Sequence, residues 1–259
     1  MQIHFYKYQG TGNDFVILDN RNGDYAGLTT EQIEHLCDRR FGIGADGLMM
    51  LENQDGYDFR MKYYNADGRE GSMCGNGGRC LTAFARHMGI PGETLRFIAT
   101  DGGHDAKFRE NGWVELKMKD VDQVENGGSF FYLNTGSPHY VQFVTDIQEV
   151  DVYEDGRAVR YNDRFAAVGT NVNFVQEIDK GIFVRTYERG VEDETYSCGT
   201  GVTAAALTAA PGEAGEYAIP VETLGGHLEV RFLRTGEQQY EDIWLCGPAT
   251  PVFEGNIKI

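Results

Sequence analysis

The sequence predicts an α+β protein of two pseudo-symmetric domains, each a mostly antiparallel sheet wrapped around one central helix. Three observations lead there. Cys74 in Ser-Met-Cys-Gly-Asn-Gly-Gly and Cys198 in Tyr-Ser-Cys-Gly-Thr-Gly-Val occupy near-identical contexts at an offset of 124 residues (198 − 74), and other blocks keep that offset. Short strand-like segments outnumber helical ones. Each cysteine leads into a run of small, helix-tolerant residues.

The repeat is the firmest of the three. Tyr8-Gln9-Gly10-Thr11-Gly12 is matched by Tyr132-Leu133-Asn134-Thr135-Gly136, Arg40-Phe41 by Arg164-Phe165, and Phe59 and Tyr63 by Phe183 and Tyr187. A glycine-rich chain repeats short strings by chance, but ungapped blocks on one register favour a duplication. The halves expected from it are residues 1–119, with 248–259 returning to them, and 120–247.

Ile3–Tyr8, Phe15–Leu18, Tyr57–Tyr64, Trp113–Met118, Tyr140–Thr145, Ile182–Tyr187 and His227–Phe232 read as strands between Gly, Asn and Asp turn signals. Thr29 reads as the cap of an amphipathic helix over Thr30–Arg39, with Ile33 and Leu36 inward. The central helices are expected over Arg79–Met88 and Val202–Ala210, stopped by Gly89 and by Pro211-Gly212. The second is so apolar and small-sided that it predicts burial.

Charge narrows the function. With Lys+Arg 23 against Asp+Glu 40 the net charge is −17, which argues against nucleic acid and anionic membrane surfaces as partners. Met1 to Asn13 carries His4, Lys7 and other polar residues rather than an apolar leader, and no segment is long and apolar enough to span a bilayer, so the expected location is cytoplasmic. The five cysteines, Cys37, Cys74, Cys80, Cys198 and Cys246, are too few and too irregular for a disulfide framework or a zinc site. Cys80 reads as a buried small apolar residue.

A cysteine just before Gly-Xaa-Gly at a helix start lies where unpaired N–H groups and the helix dipole favour a thiolate. The glycines clear the approach, so the same amides can cradle a carboxylate. One such cysteine reads as a small buried residue. Two at equivalent places read as a functional pair, one facing each side of a molecule bound between the halves. That arrangement suits inversion of a carbon centre: a thiolate removes a proton from one face while a thiol delivers one to the other. A thiol protease would need a dedicated histidine and no second thiol.

Gly12-Asn13-Asp14-Phe15, Gly42-Ile43-Gly44-Ala45-Asp46-Gly47, Tyr64-Asn65-Ala66-Asp67-Gly68, Cys74-Gly75-Asn76-Gly77, Gly136-Ser137-Pro138-His139, Tyr187-Glu188-Arg189-Gly190 and Cys198-Gly199-Thr200-Gly201, with the closing Gly247-Pro248-Ala249 and Val252-Phe253-Glu254-Gly255, resemble the diaminopimelate epimerase family over nearly the whole chain. The resemblance implies interconversion of LL- and meso-2,6-diaminopimelate, on the route to lysine and peptidoglycan, with no cofactor, neither pyridoxal phosphate nor metal. It implies a small-molecule partner and a homodimer. It casts Cys74 and Cys198 as the acid/base pair, and Asn13, Asn65, Asn171 and Arg189 as readers of the substrate's amino and carboxylate groups. Backbone amides at Gly75-Asn76 and Gly199-Thr200 would hold the carboxylate of the reacting centre. An arginine suits a carboxylate through its planar fork, and an asparagine can serve either group. His139 and Glu188 resemble the family's polar pair that adjusts the thiols' ionisation, Glu188 also touching substrate; Phe15 and Tyr64 stand at their places in the first half. The chain departs from many members at Gly47, where some carry Gln, and at Ser137, where many carry Asn. Ser137 is kept as a substrate contact and Gly47 is not. Asn173 would share a strand face with Asn171, which is the better match.

Three rivals remain at this stage. A proline- or hydroxyproline-type racemase would share fold and paired thiols, with less need of Arg189 and the asparagines. A redox protein could cycle Cys74 and Cys198 through a disulfide. A non-catalytic amino-acid-binding module would leave the two thiols unexplained.

Overall fold

A computed structural model describes residues 1–259. The chain folds into two compact units, residues 1–116 with 248–259, and residues 117–247. The first begins with β1 (Gln2–Gly10), β2 (Asn13–Asp19), α1 (Thr30–Cys37), β3 (Gly47–Glu52), β4 (Phe59–Asn65), α2 (Gly75–His87), β5 (Thr94–Ala99), β6 (Gly102–Phe108) and β7 (Val114–Lys117). Next come β8 (Val124–Asn126), β9 (Phe131–Asn134), β10 (Pro138–Phe143), α3 (Val152–Arg160), β11 (Asn171–Ile178), β12 (Gly181–Glu188), β13 (Asp193–Thr195), α4 (Gly199–Ala209), β14 (Gly215–Thr223), β15 (Gly226–Gly236) and β16 (Gln239–Gly247). The final strand, β17 (Thr250–Lys258), belongs to the first unit and pairs antiparallel with β1.

The two units repeat one pairing scheme. In the first, β17, β1, β2, β3, β4, β5, β6 and β7 neighbour in that order, parallel only at β2–β3 and β4–β5. In the second, β8, β9, β10, β11, β12, β14, β15 and β16 do the same, parallel only at β10–β11 and β12–β14, while β13 pairs antiparallel with β12. A parallel pair cannot be closed by a hairpin and needs a crossover. Each of the four helices lies in one of these connections: α1, α2, α3 and α4. The register also repeats: Phe15 pairs with Gly47 and His139 with Asn171, Thr94 with Lys107 and Ala218 with Arg231. The α+β class with two duplicated domains is therefore what the chain adopts.

Two helices cover the sheet of the first unit from opposite sides. Ile33, Leu36 and Cys37 of α1 pack in one core with Ile3, Phe5, Val16, Leu18, Leu48 and Met50. The helix α2 contacts β1 to β4, and its Gly77 faces Phe15, Met49 and Met61, the alternate side chains of the same strands. Val16 to Leu18 and Leu48 to Leu51 are consequently buried without alternation. In the second unit Val152 of α3 packs with Val172, Phe174 and Tyr187, and α4 lies against β9 to β12 and β14 to β16. Val202, Ala204, Ala205, Ala206 and Leu207 of α4 are all buried, as the composition predicts.

Both central helices start earlier than their apolar runs suggest. The helix α2 begins at Gly75 rather than Arg79, and α4 at Gly199 rather than Val202. The first turns are made of glycine and polar residues, so periodicity misses them, yet Cys74 O accepts from Gly78 N at 2.7 Å and Cys198 O from Val202 N at 2.8 Å. Each cysteine is thus the residue that caps its helix. The amphipathic helix likewise ends at Cys37, two residues short of Arg39, with the capping box of Thr29 and Gln32 present.

Candidate active site

The two N-terminal helix caps have nearly the same backbone: Cys74 at φ −105°, ψ 129° and Cys198 at φ −111°, ψ 111°. Gly75 and Asn76 form the first turn behind one, Gly199 and Thr200 behind the other. The leading N–H groups of a helix have no intrahelical partner, so each cap combines a thiol with anion-binding amides. Cys37, Cys80 and Cys246 are buried elsewhere, and burial pushes the Cys37 and Cys80 thiols up to about 12. Those two are packing residues.

In the first unit Asn13 is held by a directed polar chain. Its Nδ2 donates to Asp46 Oδ2 at 2.6 Å, a carboxylate also bound by Arg39 Nη2 at 2.7 Å. Asn13 Oδ1 therefore faces the helix cap, accepting from Cys74 Sγ and from Asn76 Nδ2, both at 3.4 Å. Asn76 Oδ1 in turn accepts from the buried Arg79 at 3.0 Å. Asp46, in the Gly42–Gly47 loop, was not among the expected site residues; its place in the glycine-rich motif was the available signal. Asp14, next to Asn13, is paired with Lys7 at 2.7 Å and Arg39 at 2.7 Å. Burial opposes its charge, but hydrogen bonds from Arg39 and Lys7 outweigh that and hold it down to about 2. Asn65 ends β4 opposite Gly47, its amide beside Gly71. Gly47 has a steric cause: a Cβ there would lie 2.6 Å from both the Tyr63 ring and Tyr64 O.

In the second unit Ser137, Asn171 and Arg189 converge. Ser137 Oγ accepts from Asn171 Nδ2 at 2.9 Å and from Arg189 Nη2 at 3.3 Å, and Asn171 Oδ1 accepts from Arg189 N at 2.9 Å. The three sit at the offset positions of Asn13, Gly47 and Asn65. Glu188 Oε2 accepts from Thr195 Oγ1 at 2.8 Å, so it is an anchored, half-buried carboxylate. Cys198 Sγ lies 3.5 Å from Thr200 Oγ1, and Thr200 O accepts from Thr135 Oγ1 at 2.8 Å.

His139 is fully buried under the first turn of α4. A Cβ on Gly201 would come within 3.3 Å of His139 Cε1 and 2.3 Å of Asn173 Oδ1. Gly77, at the equivalent place on α2, rests instead on Phe15 and Met49, so His139 and Asn173 are a polar pair set into an otherwise apolar layer. Burial first, then the Arg189 charge, push His139 down to about 3, against a smaller raising contribution from its hydrogen bond with Asn173. That last contribution requires the ring to donate. Asn173 presents its Nδ2 to the ring, which makes the ring the acceptor and leaves it neutral.

The fold defines a class first: two duplicated α+β halves with a cysteine capping each central helix. Solved structures of the same fold include a phenazine biosynthesis protein of the PhzF family from Bacillus anthracis (TM-score 0.78, 15% identity, all of both chains). Another is a probable proline racemase from Agrobacterium radiobacter (TM-score 0.67, 14% identity, 99% of this chain and 92% of that one).

Sequence narrows the class to one family. The model of diaminopimelate epimerase matches residues 5–124 and again residues 131–250. The diaminopimelate epimerase of Flavobacterium psychrophilum is 49% identical over 257 residues, 98% of this chain and all of the relative, and that of Chlorobaculum tepidum is 41% identical over 96% and 99%. The chain belongs to the diaminopimelate epimerase family and is an enzyme of that kind.

Proposed function

We propose that this enzyme interconverts LL-2,6-diaminopimelate and meso-diaminopimelate by two-base proton transfer between the thiols of Cys74 and Cys198. The observation that carries the reading is the matched pair of cysteine-capped helices, one in each half. One cysteine, as thiolate, takes the α-proton from one face; the other, as thiol, gives a proton to the opposite face, and the roles exchange in the reverse direction. The charge that develops next to the carboxylate is met by the amides of Gly75-Asn76 and Gly199-Thr200. Asn13, Asn65, Ser137, Asn171, Glu188 and Arg189 read the amino and carboxylate groups, with the Arg189 fork suited to a carboxylate. His139 and Glu188 tune the thiols. The net charge of −17 supports a small-molecule substrate over nucleic acid or an anionic membrane, and no helix is long and apolar enough to cross a membrane. The expected setting is the cytoplasm, as a homodimer.

The test is proton NMR of the reduced protein with LL-diaminopimelate in heavy water, without pyridoxal phosphate. Loss of the α-proton signal with appearance of the meso isomer, abolished by thiol alkylation, is the expected result. No exchange under reducing conditions would sink the substrate assignment and bring proline-type substrates forward.

A further inference from the structure

The polar pair beneath α4 carries an inference about a residue outside the proposed acid/base and binding set. Asn173 Nδ2 donates to Tyr140 O at 2.9 Å and lies 3.1 Å from His139 Nδ1, while Asn173 Oδ1 accepts from Thr186 Oγ1 at 3.0 Å. The carbonyl of Tyr140 can only accept, so the amide has one orientation. Its two Nδ2 hydrogens then go to Tyr140 O and to the imidazole, and His139 Nδ1 must be the lone-pair nitrogen. The proton of the neutral ring is left on Nε2, a fully buried atom with no hydrogen-bond partner. Such a group is rare unless it serves something. The ring lies under the first turn of α4, the helix whose cap, Cys198, gains negative charge when its thiol ionises.

We propose that Asn173 is a positioning residue that fixes His139 as the Nε2–H tautomer, so that the ring acts as a buried hydrogen-bond donor to the thiolate form of the Cys198 side rather than as a general base. The Tyr140 carbonyl and the Thr186 hydroxyl are the supports that keep the amide from turning. The first half needs no counterpart, because Phe15 and Met49 fill the same two positions. The catalytic consequence rests on the proposed epimerase function; the tautomer does not.

The experiment is a long-range ¹H–¹⁵N correlation spectrum of the reduced, ¹⁵N-labelled protein, with the His139 pattern assigned by its loss in His139→Gln. The expected pattern is a neutral ring protonated at Nε2, unchanged from about pH 5 to about pH 8, a window in which an unperturbed histidine titrates. An Nδ1–H ring, or one that titrates in that window, overturns the proposal without any other variant having to fold. Asn173→Asp places an acceptor against Nδ1 and should move the proton there. With it, kcat for epimerisation should fall by about tenfold or more, at the low end of general acid–base effects, while KM stays within about twofold. A moved proton with unchanged kcat overturns the positioning role. Absence of α-proton exchange in the unaltered protein, with the tautomer as expected, counts against the epimerase reading alone.

Discussion

Alanine at Gly201 and alanine at Gly77 are the same change at equivalent places in the repeat, and the structure expects opposite results. Each glycine is the third residue of its central helix, where alanine gains up to about 1 kcal/mol of helix propensity. At Gly77 the new Cβ would meet Met49 Sδ at 3.1 Å, Met61 Cε at 3.4 Å and Phe15 Cζ at 3.5 Å. Flexible thioethers can yield a few tenths of an ångström, so the change should fall within about 1 kcal/mol of neutral. At Gly201 it would stand 2.3 Å from Asn173 Oδ1, and that amide is held by Thr186, Tyr140 and His139. Displacing it loses three hydrogen bonds of about 1 kcal/mol each. Less the propensity gain, the net loss is about 2 kcal/mol, or about 4–8 °C in Tm for a chain of this length. Thermal and urea unfolding followed by circular dichroism reads both variants. Equal shifts, or a Gly201→Ala protein as stable as the original, would refute the claim that this layer is a fixed polar support.

Acid should destabilise the protein through His139. Its folded pKa of about 3 lies below the ordinary 6.5, so the unfolded chain binds the proton first; the contribution is complete above about pH 6.5 and is lost as pH falls towards 3. By about pH 5 that amounts to roughly 2 kcal/mol, a loss that urea titrations should find missing from His139→Gln. Cys74→Ser and Cys198→Ser should each lower the epimerisation kcat by about 10²-fold or more, and either variant retaining the original rate in the NMR assay would end the two-thiol mechanism. Arg189→Lys keeps the charge but loses the fork, and KM should rise by about tenfold with little change in melting temperature. An unchanged KM would remove Arg189 from substrate recognition.

The duplication was legible because the conserved spacing of a few blocks survives even where the intervening residues differ. Which strands would be found depended on how they are buried. Phe59–Asn65 and Gly181–Glu188 stand out by their aromatic and β-branched content. Gly47–Glu52, buried on both faces between α1 and α2, lacks the alternation that marks a strand. Helix α3 is not legible in the sequence because Gly156 interrupts its middle, where a Cβ would strike the Tyr187 side chain at 2.4 Å. Among candidate site residues, those within contiguous motifs were visible. Asp46 and Asn173 meet other side chains of the site, and that placement follows only from the direction of hydrogen bonds, which a one-dimensional pattern does not carry.

The repeat also explains where the two halves must differ. A duplicated scaffold supplies two helix caps of equal geometry, which is what opposed proton transfer needs. Equal surroundings, however, would give the two thiols the same environment and would bind the two ends of the substrate alike. The differences gather around the caps: Phe15, Met49, Tyr64 and Asn65 in one half correspond to His139, Asn173, Glu188 and Arg189 in the other. Two of the four exchanges bring in a carboxyl and a guanidinium, Glu188 and Arg189, and the other two set the neutral polar pair His139 and Asn173 where the first half has Phe15 and Met49. On the proposed function, the second half thus carries both the charged reader of a carboxylate and the means of setting thiol ionisation, while the first half contributes a cap held by the neutral amides of Asn13 and Asn76. A protein in which His139 and Asn173 are replaced together by Phe and Met should therefore fold, because the first half already packs that pair under the same helix turn, and should epimerise slowly. Failure to fold would show that the polar layer is structural in this half, and full activity would show that the asymmetry beneath Cys198 has no part in the reaction.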